Sequence, residues 1–133
     1  MHDKKTRSYN MSQIKGKNTK PEMLVRRFLH SQGFRFRIHD KRYPGKPDLV
    51  LPKYRTVIFV HGCFWHQHAC SAGHIPVTRR EFWRAKLTKN AYRDKDQIAC
   101  LRKAGWTVLV LWECQLKHPV KVAKRLIKFL QKP

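Results

Sequence analysis

The chain has 133 residues, enough for one hydrophobic core, and 41% of them are apolar, more than a disordered tail carries. Its 30 Lys and Arg against 8 Asp and Glu leave a net charge of +22. Basic residues run from Lys4 to Lys132, so the surface repels itself unless an anionic partner neutralises it; nucleic acid leads over a membrane surface or an RNA-coated assembly.

The opening MHDKKTRSYN lacks the apolar stretch of a signal peptide, and residues 1–18 read as a polar, basic arm, loosely held unless it contacts a partner. Residues 19–133 read as one domain. TKPEMLVRRFLHSQG predicts a helix with marked ends: Thr19 and Glu22 form a capping box, Gly33 stops it, and Leu24, Val25, Phe28 and Leu29 make an apolar face. FRFRI alternates Phe34, Phe36 and Ile38 with Arg35 and Arg37, the period of a half-buried strand, and PGKP turns the chain into a second strand, DLVL. RTVIFV and WTVLVLW are continuous apolar runs, expected as central strands buried on both faces. Both fall far short of the roughly 20 residues that cross a membrane. RREFWRAKLTKNAYRDKDQIACLRKAG between them predicts a long helix ending at Gly105. A last helix from Pro119 stacks Val122, Leu126 and Leu130, with Lys121, Lys124, Arg125 and Lys128 elsewhere; a packed helix with a basic outer face is preferred to a membrane-surface helix. The order predicts an α/β sandwich around a short mixed sheet.

A cytosolic setting is expected, where disulfides are rare and cysteines more often bind metal, react or fill core space. VHGCFWHQHAC, residues 60–70, sets Cys63, His68 and Cys70 in one loop, and Cys114 follows the VLVLW strand. Two readings stay open: a tetrahedral zinc site tying the loop to a distant strand end, or ordinary reduced cysteines beside a loop histidine. Cys100, among Ile98, Ala99 and Leu101, is expected in the core. A closed four-ligand site would be structural, leaving His61 and His66 unassigned, with His66 held firmly by its place in the loop.

Only eight carboxylates are present. Phosphodiester hydrolysis commonly uses Mg²⁺, which prefers carboxylate and water oxygens, and Asp48 in PGKPDLV opens a strand where it could hold that ion. Asp94 and Asp96 on the long helix either orient a histidine or pair with surface Lys and Arg; Glu22 reads as a helix cap.

TRSYNMSQIKGKNTKPE, YPGKPDLVL, VIFVHGCFWHQHAC, TRREFW, KNAYRDKDQ and GWTVLVLWEC occur in the order found in the very-short-patch-repair (Vsr) DNA mismatch endonucleases, and the chain resembles that family over residues 2–116. The resemblance implies a restriction-endonuclease-like fold of the PD-(D/E)XK class. It implies an enzyme that nicks one strand 5′ of the thymine in a T·G mismatch, the lesion left when 5-methylcytosine deaminates. By resemblance, Asp48 binds the catalytic Mg²⁺, with the Val60 backbone carbonyl as a further ligand. His66 aligns or deprotonates the attacking water with Asp94 as its partner, and His61 holds a water nearby. Cys63, His68, Cys70 and Cys114 match structural zinc ligands. Phe64, Trp65 and Trp83 match aromatics that wedge into the duplex, Lys86 and Asn90 match positions that contact base edges, and the arm around Met11 reaches the opposite groove.

Two departures accompany the match. The restriction-fold Glu-x-Lys motif is absent after TVIFV, as it is in the family, and position 60 is Val where well-known members carry Thr: if the metal contact there is the backbone carbonyl, Val60 supplies it, and if it is the hydroxyl, metal binding is weaker here. The implied setting is a bacterial cytoplasm, on the nucleoid when bound to DNA, with a monomer acting beside a cytosine-5 methyltransferase and mismatch-repair proteins. A restriction-type endonuclease cutting matched DNA, and a non-catalytic zinc-containing nucleic-acid binder, are the rival readings.

Overall fold

The structure, a computed structural model, describes residues 19–66 and 75–130. Met11, with the rest of the arm at 1–18, and His68 and Cys70 lie outside the described residues. The order is α1 (Lys20–Ser31), β1 (Arg37–Ile38), β2 (Leu49–Leu51), β3 (Thr56–His61), α2 (Arg80–Lys103), β4 (Thr107–Trp112) and α3 (Pro119–Leu130), with short 3₁₀ turns at Pro52–Tyr54 and Glu113–Lys117. The four strands form one sheet in the order β1-β2-β3-β4. The first two pairings are antiparallel. β3 and β4 run parallel, in register from Thr56 opposite Thr107 to His61 opposite Trp112. A parallel pair needs a crossover, and α2 supplies it.

Side chains along the strands alternate between two apolar layers. Leu49, Leu51, Ile58, Leu109 and Leu111 meet Val25 and Leu29 of α1 and Val122, Leu126 and Leu130 of α3. Val50, Val57, Phe59 and Val108 meet Leu101 of α2 on the opposite face. Each such Leu or Ile, fully buried, contributes about 2 kcal/mol against exposure. The result is the small mixed-sheet α/β sandwich that the element order predicts. The apolar stripe of α3 is consumed by this core, which leaves its basic residues outside. Among the described residues no helix is long and apolar enough to cross a membrane.

Several details depart from the sequence reading. Among the described residues β4 is an edge strand and not a central one; it is apolar because helices cover both faces of the sheet. β1 is only two residues long, and Ile38 is 41% exposed, although Phe34 and Phe36 do pack on the core. In α1 the inward stripe is Glu22, Val25 and Leu29, seven residues being two turns, so Leu24 falls outside it. Cys100 is exposed and not part of the core, because α2 buries only Leu87 and Leu101.

One end of the sheet gathers the polar residues. There β1 ends, β2 begins and β3 and β4 finish, and α1 and the middle of α2 approach from opposite layers. The PGKP turn is held close to α2: Gly45 has φ +78, and a Cβ there would lie 2.9 Å from Gln97 Oε1.

Candidate active site

A cleft of about 620 Å³ opens at this end, lined by Asp48, Val60, His61, Phe64, Trp65, His66 and Asp94 among others. Asp48 immediately precedes β2 and is 8% exposed. Its Oδ2 accepts the Val60 N–H at 2.6 Å, which fixes the carboxyl against the end of β3. Burial pushes its pKa up to about 8, against the pull of the Val60 N–H and with the help of a hydrogen-bonded neighbour, Glu22.

Glu22 has a larger part than its sequence position suggests. The Thr19 hydroxyl does accept the Glu22 N–H at 3.3 Å, as a cap should. The Glu22 side chain, however, is completely buried, with Oε2 bonded to His39 Nε2 at 2.7 Å and to Arg26 Nη1 at 3.3 Å. Glu22 and His39 are therefore site residues that sequence reasoning missed. A cap and an active-site carboxylate are the same residue type, and the His39 contact spans 17 positions.

On the other side of the cleft, α2 carries Asp94 to His66, and Asp94 Oδ2 bonds His66 Nδ1. Asp96, the other carboxylate considered for this part, is exposed. The His66 N–H donates to the Gly62 carbonyl at 3.2 Å, closing residues 62–66 into one tight turn. His61 stacks flat on His66, with ring centroids 3.8 Å apart and planes within 4°. Trp112 meets His61 edge-on at 5.2 Å. Burial drives the His61 pKa down to about 4, and repulsion from His66 adds to this while Asp94 opposes it. His61 is therefore neutral at physiological pH.

Among the described residues, two groups of side chains place ligand atoms within 4.8 Å of one another: Glu22, His39 and Asp48, and His61, His66 and Asp94. Two buried carboxyls in contact cannot both ionise without help, so the Glu22–Asp48 pair either retains a proton or takes up a cation. This oxygen-rich donor set fits a divalent ion of the Mg²⁺ type. Of the four expected zinc ligands, two are described. Cys63 is buried, and its Sγ accepts the Cys114 N–H at 3.4 Å, so the loop and the turn after β4 do meet.

Beside the cleft the aromatics form a half-buried cluster. Phe64 lies 5.0 Å from Trp65 and 5.4 Å from Trp83, and Trp65 lies 5.9 Å from Trp83, centroid to centroid, all edge-on. Lys86 Nζ sits 5.7 Å from the Trp65 centroid and 5.8 Å from that of Trp83. Asn90 Nδ2 donates to the Trp65 carbonyl at 3.4 Å, and its Oδ1 accepts from Arg93 at 2.9 Å. Asn90 thus ties the aromatic turn to α2.

Known proteins share this sequence over most of its length. A profile of the family described as DNA mismatch endonuclease Vsr matches residues 1–72. A protein of Neisseria meningitidis named type II nicking enzyme V.NmeAIP is 52% identical, covering 94% of this chain and 89% of its own. The type II nicking enzyme V.XorIIP of Xanthomonas oryzae is 47% identical, covering 93% and 91%. The DNA mismatch endonuclease Vsr of Escherichia coli is 48% identical, covering 92% and 78%. The chain accordingly belongs to the Vsr family of DNA mismatch endonucleases and is a DNA endonuclease.

Proposed function

We propose that this endonuclease nicks one strand of duplex DNA 5′ of the thymine in a T·G mismatch left by deamination of 5-methylcytosine, by Mg²⁺-dependent phosphodiester hydrolysis. The observation that carries the reading is the cleft itself, where a buried Asp48 shares one opening with a His66 bonded to Asp94 and with Phe64 and Trp65. The names of the relatives, mismatch endonuclease and nicking enzyme, support it further. The sheet and its flanking helices are read as a PD-(D/E)XK-class core.

Asp48 and the backbone carbonyl of Val60 would hold Mg²⁺, which when bound offsets charge on the phosphate and lowers the pKa of water. Asp48, whose carboxyl burial holds protonated, would serve as the anionic ligand after releasing that proton to solvent. His66, fixed through Nδ1 by Asp94, turns its Nε2 to the attacking water, aligning it or accepting its proton. His61, neutral and stacked on His66, sets the plane of that ring and holds a water beside it. The products are a 5′-phosphate and a 3′-hydroxyl.

Phe64, Trp65 and Trp83 act as the wedge. Unstacking a base step costs a few kcal/mol and is cheapest at a mismatch, so the wedge selects the lesion and brings His66 to the adjacent phosphate. Lys86 and Asn90 contact base edges, and the arm at 1–18, with Met11, reaches the opposite groove. Structural zinc at Cys63, His68, Cys70 and Cys114 anchors the turn; the Cys63–Cys114 contact supports this. A single nick needs one active site, so the enzyme acts as a monomer, functionally linked to a cytosine-5 methyltransferase. The test is Asp48→Ala, expected to bind a T·G duplex with near-native affinity yet fail to nick it in Mg²⁺; substantial cutting by this variant overturns the mechanism.

A further inference from the structure

We propose that His39 is a positioning residue that holds Glu22 beside Asp48 at the cation site, an inference that rests on the assignment of Asp48 above. Glu22 and Asp48 arrive on separate elements, one in the first turn of α1 and the other at the start of β2. His39 touches both. Its backbone N–H donates to the Asp48 carbonyl at 3.3 Å, extending the short β1–β2 ladder by one bond. Its ring Nε2 bonds Glu22 Oε2 at 2.7 Å. Carboxylate oxygens only accept, so the ring N–H is the donor. With Arg26 on the same oxygen, the buried carboxylate is gripped from two sides.

The backbone of His39 adopts an uncommon conformation at this contact. It has φ +49, in the left-handed region that a non-glycine residue enters at a cost, and the ring reaches Glu22 from that conformation. Groups that orient a metal-binding carboxylate commonly change metal affinity about 10- to 100-fold when removed. No ligation by His39 itself is required.

Three variants separate the side chain from the backbone. His39→Gly keeps the positive φ and the backbone N–H but removes the ring. His39→Asn also tolerates the left-handed region, but its amide is too short to reach Glu22. His39→Gln can place an N–H donor near the position of Nε2. Each is measured for melting temperature, Mn²⁺ binding by calorimetry without DNA, and the Mg²⁺ concentration giving half-maximal nicking. His39→Gly and His39→Asn are expected to weaken Mn²⁺ binding and raise the Mg²⁺ requirement roughly 10-fold or more, with duplex affinity unchanged. His39→Gln is expected to stay within about 3-fold of the parent, since the donor is retained. Native metal dependence in His39→Asn, or a His39→Gln as impaired as His39→Asn, overturns the inference, including in the case where His39→Gly does not fold. Asp48→Ala is the control: if it still nicks and binds Mn²⁺, the site assignment fails. If it loses both while the His39 variants match the parent, only the role of His39 fails.

Discussion

Asp48→Asn should stabilise the protein while abolishing its activity. Burial raises the Asp48 pKa from 3.8 to about 8, so between those values the folded chain keeps a proton that the unfolded chain has released. Stability therefore falls as pH rises through that window. Across the window from 3.8 to about 8, at about 1.4 kcal/mol per tenfold change in proton activity, this amounts to at most about 6 kcal/mol. Asparagine mimics the protonated acid: its amide oxygen can accept the Val60 N–H and its amide hydrogens can face Glu22. His61 contributes the opposite slope, because its lowered pKa makes stability rise between about pH 4 and 6.5. That term is common to parent and variant and cancels. In buffer without added Mg²⁺ and with zinc in place, we expect a gain of roughly 2 kcal/mol or more at pH 8, about 6 °C or more in Tm, shrinking by at least half at pH 5. Millimolar Mg²⁺ should raise the parent's Tm at pH 8 and leave the variant's unchanged. A variant less stable than the parent at pH 8, or a difference that does not change with pH, would refute the reasoning.

Two further outcomes concern the aromatic turn. Trp65→Ala should reduce the preference for T·G over matched duplex by about 10-fold, with a smaller loss of general affinity, since one stacking contact is worth about 1–3 kcal/mol; equal losses on both duplexes, in competition binding, contradict the wedge. Zinc removal should lower the melting temperature and abolish nicking together, because zinc held as proposed by Cys63, His68, Cys70 and Cys114 would be coupled to the fold of the turn. Chelated protein shown by metal analysis to lack zinc, with its melting curve and activity intact, contradicts the structural site.

The sequence was most legible where one periodicity met one environment. Val122, Leu126 and Leu130 lie on the buried face of α3, and Gly105, with φ +94, follows the end of α2. β3 and β4 were equally plain as apolar runs, but such a run reports cover on both faces and says nothing of how many strands lie alongside, so the edge position of β4 was hidden. Cys100 was misplaced because α2 is long but buries little, which leaves its apolar residues without a dominant face. Asp48, His61, His66 and Asp94 were nameable as chemistry-bearing residues, and the fold gathers all four around one cleft. Glu22 and His39 were not. Their roles depend on a carboxylate turned inward from a cap position and on a positive φ at a non-glycine residue, and neither leaves a mark in composition or period.

The central claim is most directly tested by strand cleavage in Mg²⁺ on end-labelled duplexes that differ only in T·G or C·G at one site, across several flanking sequences. A nick confined to the T strand, 5′ of the mismatched thymine, is the predicted result. Cleavage of the matched duplex, or tight binding with no cleavage in any context, would contradict it.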